Sequence, residues 1–412
     1  MKKLISFIIL CCIITLKVTA DDNKRTLIIE VSEAGTLHET FTEKHRYLVH
    51  FLEILGPINK SDMIFLNEIS RMDFYGRIPV INLKNAIVQG EKIPDEIFGT
   101  YTEGSMIYRD TIASSLSKIT LPDNVTEIGE FTFCSLPYLK EITLPSALKN
   151  IGAYAFSKCT ALETITIPKE LTELPMGCFS ECTSLKEVSL PSSLVSLGAY
   201  SFENTALEDI VLPEKLEKIG RYAFKSTNLK KISIPASCTN INIYAFEGNN
   251  QLTDIILPNT LSRLPYGMFS HCTALQKVNI PEGVITIGKN AFAGCSALKE
   301  VTLPATLQTV ENEAFLGFNA EIIVLPENLS YIGVDAFKGN SKLKCIYSKS
   351  ETAPRFATES SDNSNNINIT GFNVENPQIP IYIPKGASKN YKEAPGWSYF
   401  KNFIEVEEFP SF

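Results

Sequence analysis

The sequence predicts an α/β solenoid, a coil with a parallel β-sheet on one face, short helical turns on the other, and a cap at each end. Three observations carry this. Segments of the form Leu-x-x-Ile-x-Leu recur every 22 or 23 residues, with unit starts at Leu116, Leu139, Leu162, Leu185, Leu207, Leu229, Leu252, Leu275, Leu298 and Ala320. A proline stands six positions after each start, from Pro122 to Pro326, and a phenylalanine seventeen positions after it, from Phe133 to Phe337, in all ten units. Self-similarity at a fixed period of this length is the mark of stacked repeat units.

Each unit, taken in order, explains its own shape. The opening stretch, such as Leu139 to Leu144, alternates apolar and polar residues like a short strand with one buried face. Pro145 ends it, because proline has no N–H to donate to a neighbouring strand. A second apolar stretch, Leu148 with Ile151, is closed by Gly152, which permits a sharp turn. The turn glycine is replaced by Pro175, Pro265, Asn242 and Glu311 in other units, and Cys238 falls at an unusual place. The last segment, Ala153 to Cys159, reads as a single helical turn that points Phe156 inward. One unit cannot bury that ring alone. Stacking does so, at roughly 1.5–3 kcal/mol per side chain.

The Leu-x-x-Ile-x-Leu-Pro, Ile-Gly and Ala-Phe-x-x-Cys elements resemble the BspA-like leucine-rich repeats of secreted and surface proteins of the Bacteroidetes type. The resemblance covers Leu116 to Lys342. It implies a right-handed leucine-rich-repeat superhelix and a non-catalytic secreted or cell-surface interaction module, with protein binding or adhesion as its role. It says little about the ligand.

The flanks lose the period. Lys2 and Lys3, the apolar run Leu4 to Leu16, and Val18-Thr19-Ala20 read as a signal peptide over residues 1–20, cleaved after Ala20. Leu10 precedes Cys11 where a lipoprotein signal has a small residue, which argues against lipidation. No later segment has the ~20 apolar residues of a membrane-spanning helix. Residues 21–115 keep degenerate leucine-rich fragments and are expected to cap the first repeat, with Phe41 to Leu55 largely helical. Residues 343–412 begin with a polar stretch, Ser348 to Asn376, expected as a loop. A cap of strand, helix and final strand, Phe403 to Val406, should follow, anchored by Trp397.

Composition narrows the chemistry. The 412 residues are 44% hydrophobic and 20% charged, which argues against wholesale disorder. Without residues 1–20 there are 35 Lys and Arg against 46 Asp and Glu, a net charge of −11. Nucleic acid is therefore excluded as the natural partner, since its phosphates need concentrated positive charge. Cys178 and Cys182 are close in sequence, but no second pair or nearby histidine completes a zinc set. His45 and His50 lie in a charged stretch with Glu43, Lys44 and Arg46 that reads as a solvated helix face. No nucleophile elbow, phosphate-cradling loop or zinc-protease helix appears, so neither enzyme activity nor a cofactor is expected.

Four cysteines recur at one repeat position: Cys159, Cys182, Cys272 and Cys295. Adjacent rungs ~4.8 Å apart would allow a disulfide by distance. Parallel projection into one core favours free buried thiols acting as small apolar residues.

Two surfaces are candidates for binding. On the strands, the second and fourth positions after each start should face solvent. They present Glu141, Thr164, Glu187 and Asp209 beside Thr143, Thr166 and Ser189, a polar surface suited to a protein, possessed equally by any solvated sheet. On the turns, Tyr200, Tyr222 and Tyr244 come from consecutive units and offer apolar area with a hydroxyl. Packing against the preceding turn explains them equally well. A protein partner, such as a host matrix protein, is the leading expectation. Glycan capture for nutrient uptake, through the tyrosines and the C-terminal loop, is the alternative. A monomer is expected, secreted, at the cell surface or in the periplasm.

Overall fold

The computed structural model describes residues 14–18, 25–41, 49–72, 78–99, 114–357, 371–372, 374 and 376–410. It divides into two compact units, Met1–Ser193 and Leu194–Phe412. Each is a parallel β-solenoid with little helix.

The strands follow the expected alternation. In the first unit Lys118–Thr120 pairs in parallel with Glu141–Thr143, with Ile119 opposite Ile142, and Thr164–Thr166 pairs with Glu187–Ser189. The central Ile119, Ile142 and Ile165 are buried, while Lys118, Glu141, Thr164 and Glu187, each second after its unit start, are exposed. A second ladder of two-residue strands runs behind the first. Glu127–Ile128 joins Lys92–Ile93 to Asn150–Ile151 in the first unit. In the second, Arg263–Leu264, Thr286–Ile287, Thr309–Val310, Tyr331–Ile332 and Arg355–Phe356 form one parallel sheet.

The expected helical turn is not helical. A helix would send each amide back to the carbonyl four residues earlier. Instead alternate amides reach forward to the next unit: Tyr154 N donates to Met176 O at 2.8 Å, Phe156 N to Cys178 O at 3.0 Å, and Lys158 N to Ser180 O at 2.8 Å. The backbone is left-handed at two positions in every repeat, fifteen and nineteen after the start, as at Tyr154 (φ 56°) and Lys158 (φ 62°). The turn is thus a third ladder, and the residue midway between its two left-handed positions is the phenylalanine.

These rings form a buried column in each unit. Phe98, Phe133, Phe156 and Phe179 stack with centroids 5.3 to 5.5 Å apart. In the second unit Phe202, Phe224, Phe246, Phe269, Phe292, Phe315, Phe337 and Phe372 stack at 5.1 to 5.7 Å. Beyond area burial, each such pair contributes roughly 0.5–1.5 kcal/mol.

At the N-terminal end, the segment Phe41 to Leu55 departs from expectation. Residues 42–48, with Glu43, Lys44, His45 and Arg46, lie outside the described residues. Phe51–Ile58 is a strand, parallel to Arg25–Glu30 on one side and Val80–Asn82 on the other. Leu52 and Ile54 alternate inward, and this pattern outweighs the helical reading. The helix comes later, at Lys60–Ser70, where Asn59 and Asp62 form a capping box. Asp62 also accepts from the amides of Gly35 at 2.6 Å and Leu37 at 3.0 Å. Within the expected signal peptide, Ile14–Val18 pairs antiparallel with Arg25–Glu30, and residues 1–13 and 19–20 lie outside the described residues.

The C-terminal elements are strand Ile381–Pro384, helix Ser388–Glu393, a 3-10 turn Trp397–Tyr399 and strand Phe403–Val406. Trp397 is fully buried, stacks on Phe356 at 5.0 Å and donates its Nε1–H to Pro354 O at 2.7 Å. It is an anchor of this end. Part of the expected polar loop is ordered as strand Arg355–Phe356, and residues 358–370 lie outside the described residues.

Candidate interaction surface

The long-strand ladder is interrupted, and grooves open where neighbouring strands do not pair. Glu141, Thr143, Thr164 and Thr166 line one groove of about 530 Å³ in the first unit. Glu187 and Ser189 stand directly beside Thr164 and Thr166 in register. Asp209 belongs to the second unit, in a groove of about 390 Å³ with Val211, Lys231, Ser233, Asp254 and Ile256. Of the seven residues singled out in the sequence, six lie on strands of the first unit, and Asp209 lies in the second, in a stretch that forms no strand.

Some charges are paired along the ladder. Lys118 forms an ion pair with Glu141, and Lys277 lies 3.4 Å from Glu300. The second-position row of the second unit alternates as Asp209, Lys231, Asp254, Lys277 and Glu300. Opposite charges on adjacent rungs support a sheet, and exposed pairs of this kind contribute about 0–1 kcal/mol each. Within the 390 Å³ groove this row borders two apolar side chains, Val211 at 82% and Ile256 at 60% exposure. Both were visible in the fourth-position row, where a hydroxyl is the usual occupant.

The tyrosines do come together. Tyr200 stacks on Tyr222 at 5.1 Å, Tyr222 on Tyr244 at 5.0 Å, and Tyr244 meets Tyr266 at 4.7 Å. Tyr200, Tyr222 and Tyr244 have φ of 59°, 56° and 57°, a left-handed backbone that bulky residues seldom adopt. Arg221 lies 4.7 Å and Lys225 4.8 Å from the Tyr222 ring centre. Both faces of Tyr222 and of Tyr244 are covered by neighbouring rings. Burial, then a hydrogen bond with Tyr266, pushes the Tyr244 hydroxyl well above the usual tyrosine range. Tyr266 sits one position earlier in its unit than the others, which is why the fifteenth-position row missed it. Gly267 then occupies the left-handed position, where a Cβ would lie 2.3 Å from the Tyr244 ring.

Two further features were not anticipated. Tyr347 and Tyr382 pair in register and stack at 4.4 Å, with Val324 next to Tyr347 and Ile404 next to Tyr382. All four are half-buried, so the strands near the C-terminal end present an apolar, aromatic stripe. The alternation of Cys345–Ser348 and Ile381–Pro384 was the available signal. Beside the stripe, between strands Glu300–Thr302 and Ile322–Leu325, lies a cleft of about 630 Å³.

Among the described residues no cluster of three His, Cys, Asp or Glu side chains could hold a metal ion, and no helix is long and apolar enough to cross a membrane. All eight described cysteines are free.

Comparison with known proteins agrees with this geometry. The BspA type leucine-rich repeat region matches residues 111–230 and 217–344, in six copies. A leucine-rich repeat protein from Bacteroides ovatus is similar in structure, with a TM-score of 0.57 and 22% identity over 96% of this chain and 98% of that one. The pneumococcal vaccine antigen PcpA is also similar, with a TM-score of 0.46 and 18% identity over 96% of this chain and 97% of that one. A leucine-rich cell surface protein from Faecalibacterium prausnitzii has a TM-score of 0.31 and 22% identity over 74% of this chain and 92% of that one. No curated protein matches. With more than half of its length covered by one repeat family, and a parallel solenoid built from that repeat, the chain belongs to the BspA-type leucine-rich repeat proteins.

Proposed function

We propose that the protein is a non-catalytic interaction module, exported through its N-terminal leader to the cell surface or beyond, that binds a protein partner through its strand face. Adhesion is the role this reading favours. The observation that carries it is the 390 Å³ groove, where exposed Val211 and Ile256 are bordered by Asp209, Lys231 and Asp254. Apolar anchors inside a polar rim are the usual anatomy of a protein interface. The net charge of the mature chain argues for a protein rather than a nucleic acid.

The test is a pull-down of residues 21–412 against matrix proteins and polysaccharides. Charge reversal at Asp209, combined with Val211→Lys and Ile256→Lys, should abolish capture of a protein partner and leave the fold intact by circular dichroism. Reversal at Glu141 and Glu187 examines the first unit separately. Unchanged capture in all of these variants would remove the strand face from consideration.

Glycan capture is the second reading, and the tyrosine ladder is its support. Sugars stack on open ring faces, and those of Tyr222 and Tyr244 are covered, so a glycan would have to use ring edges and hydroxyls. Glycan-array binding lost in Tyr200→Ala and Tyr222→Ala would favour this reading over the first.

A further inference from the structure

The cleft beside the C-terminal strands lies at a rung where two core residues are exchanged. In the other nine repeats the opening position carries a fully buried leucine, and here it is Ala320. The other 22-residue repeats precede that leucine with a threonine two residues earlier, Thr205 before Leu207 and Thr227 before Leu229. Here the corresponding residue is Phe318. The Phe318 ring packs against Phe315 at 5.5 Å. The usual first-position bond, as from Lys344 N to Glu321 O at 2.7 Å, is replaced at this rung by one from Asn319 N to Leu298 O at 3.2 Å. Strand Glu300–Thr302 pairs only backward, with Lys277–Asn279, and strand Ile322–Leu325 only forward, with Cys345–Ser348. The two strands stand in separate sheets, and about 630 Å³ lies between them, within the ~300–1,000 Å³ range of small-molecule sites.

The lining has an apolar body and a charged mouth. Phe318, Ile322 and Val324 supply the first. At the mouth, Glu300 is paired with Lys277 at 3.4 Å and Glu321 with Lys344 at 2.7 Å. Lys299 and Lys342 also line the cleft, and neither is in an ion pair among the described residues. Both lie close enough to help hold the Glu321 carboxyl below its usual range, after the larger effect of Lys344. An apolar cavity with two surplus ammonium groups at its mouth selects a ligand of matching polarity.

We propose that this cleft binds a small amphipathic carboxylate, its aryl or short acyl body against Phe318, Ile322 and Val324 and its carboxylate between Lys299 and Lys342. The carboxylate could belong to a free acid or to the C-terminus of a peptide, and the chemistry is shared.

Calorimetric titration of residues 21–412 with 3-phenylpropionate and with its neutral analogue 3-phenylpropan-1-ol tests this. One site per chain is expected, with the acid bound about tenfold or more tightly than the alcohol. Lys299→Gln with Lys342→Gln should erase that preference. Phe318→Thr with Ala320→Leu restores the packing of the other 22-residue repeats and should abolish binding of both compounds. A short peptide ending in phenylalanine, as free acid and as amide, separates the sources. Tighter binding of the peptide acid than of 3-phenylpropionate assigns the site to chain termini, and the reverse assigns it to free acids. The absence of binding at millimolar ligand would overturn the proposal, as would equal affinity of acid and alcohol. Should the core variant fail to fold, the lysine variant decides alone.

Discussion

The thiol of Cys295 donates to the backbone carbonyl of Phe269, 3.1 Å away and one coil earlier. Cys159, Cys182 and Cys272 make the same bond to Phe133, Phe156 and Phe246. Where the repeat has another residue at this position it is often a donor too: Thr205 donates to Phe202 O, and the Asn249 side chain to both Phe224 O and Phe246 O. The cysteine is therefore more than a small apolar filler. It is a weak donor aimed at the carbonyl that each stacked ring leaves facing the core.

Free thiols are expected on this geometry. Burial pushes the Cys295 thiol up to about 12 and Cys238 up to about 11, so both stay protonated and unreactive at neutral pH. In native protein a thiol reagent should modify Cys345, which is half-buried, and spare the seven buried cysteines. After denaturation without reductant all eight cysteines of residues 21–412 should react. A mass two units lower for each missing pair would establish disulfides instead.

The stacked rings should dominate stability. Phe224→Ala removes a ring held between Phe202 and Phe246 and should cost about 3–5 kcal/mol, measured by chemical denaturation. Phe224→Leu keeps most of the volume and should cost clearly less. Equal losses would show that ring stacking, and not buried volume, sets the energy.

Gly267 and Tyr244 should be coupled. Gly267→Ala places a Cβ 2.3 Å from the Tyr244 ring at φ +60°, so both a clash and left-handed strain oppose it. The strain alone is roughly 1–2 kcal/mol. In a Tyr244→Ala background the clash disappears and only the strain remains. A double-mutant cycle should then return a coupling of at least about 1 kcal/mol. Additive losses would show that the ring moves aside freely.

The C-terminal end should be sensitive to alkali. Burial pushes the Tyr391 hydroxyl up to about 12, against a smaller opposing effect of its hydrogen bond with Ser348. The unfolded chain ionises this group near pH 10. A raised pKa favours the neutral phenol in the folded state, so its contribution is complete below pH 10 and is lost as the pH rises from 10 towards 12. Two pK units correspond to about 2–3 kcal/mol. Trp397, the single tryptophan, lies edge-on to Tyr391 at 5.1 Å and its fluorescence reports the event. Tyr391→Phe should remove this part of the alkaline loss. An unchanged profile would place the sensitivity elsewhere.

The period, the inward Ile119 and Ile142, the phenylalanine column and the anchoring Trp397 were all legible before the fold was seen, because each depends on residues close in sequence or on exact recurrence. The turn was misread for the same reason. Ala153 to Cys159 has the composition of a helical turn, and only the neighbouring coil, 22 or 23 residues away, offers its amides the carbonyls of Met176, Cys178 and Ser180. The strand Phe51–Ile58 was misread because its alternation has meaning only with Arg25–Glu30 and Val80–Asn82 on either side.

The candidate surfaces divide along the same line. That Glu141, Thr143, Thr164 and Thr166 point to solvent follows from local alternation. That they share a groove depends on which strands pair. The stacking that covers the faces of Tyr222 and Tyr244 and the exchange of Phe318 for the lost bulk at Ala320 are likewise three-dimensional facts. Periodic side chains specify one coil of this protein. Where adjacent coils pair or part depends on volumes and hydrogen-bond partners brought together from different coils, and those contacts exist only once the chain is stacked.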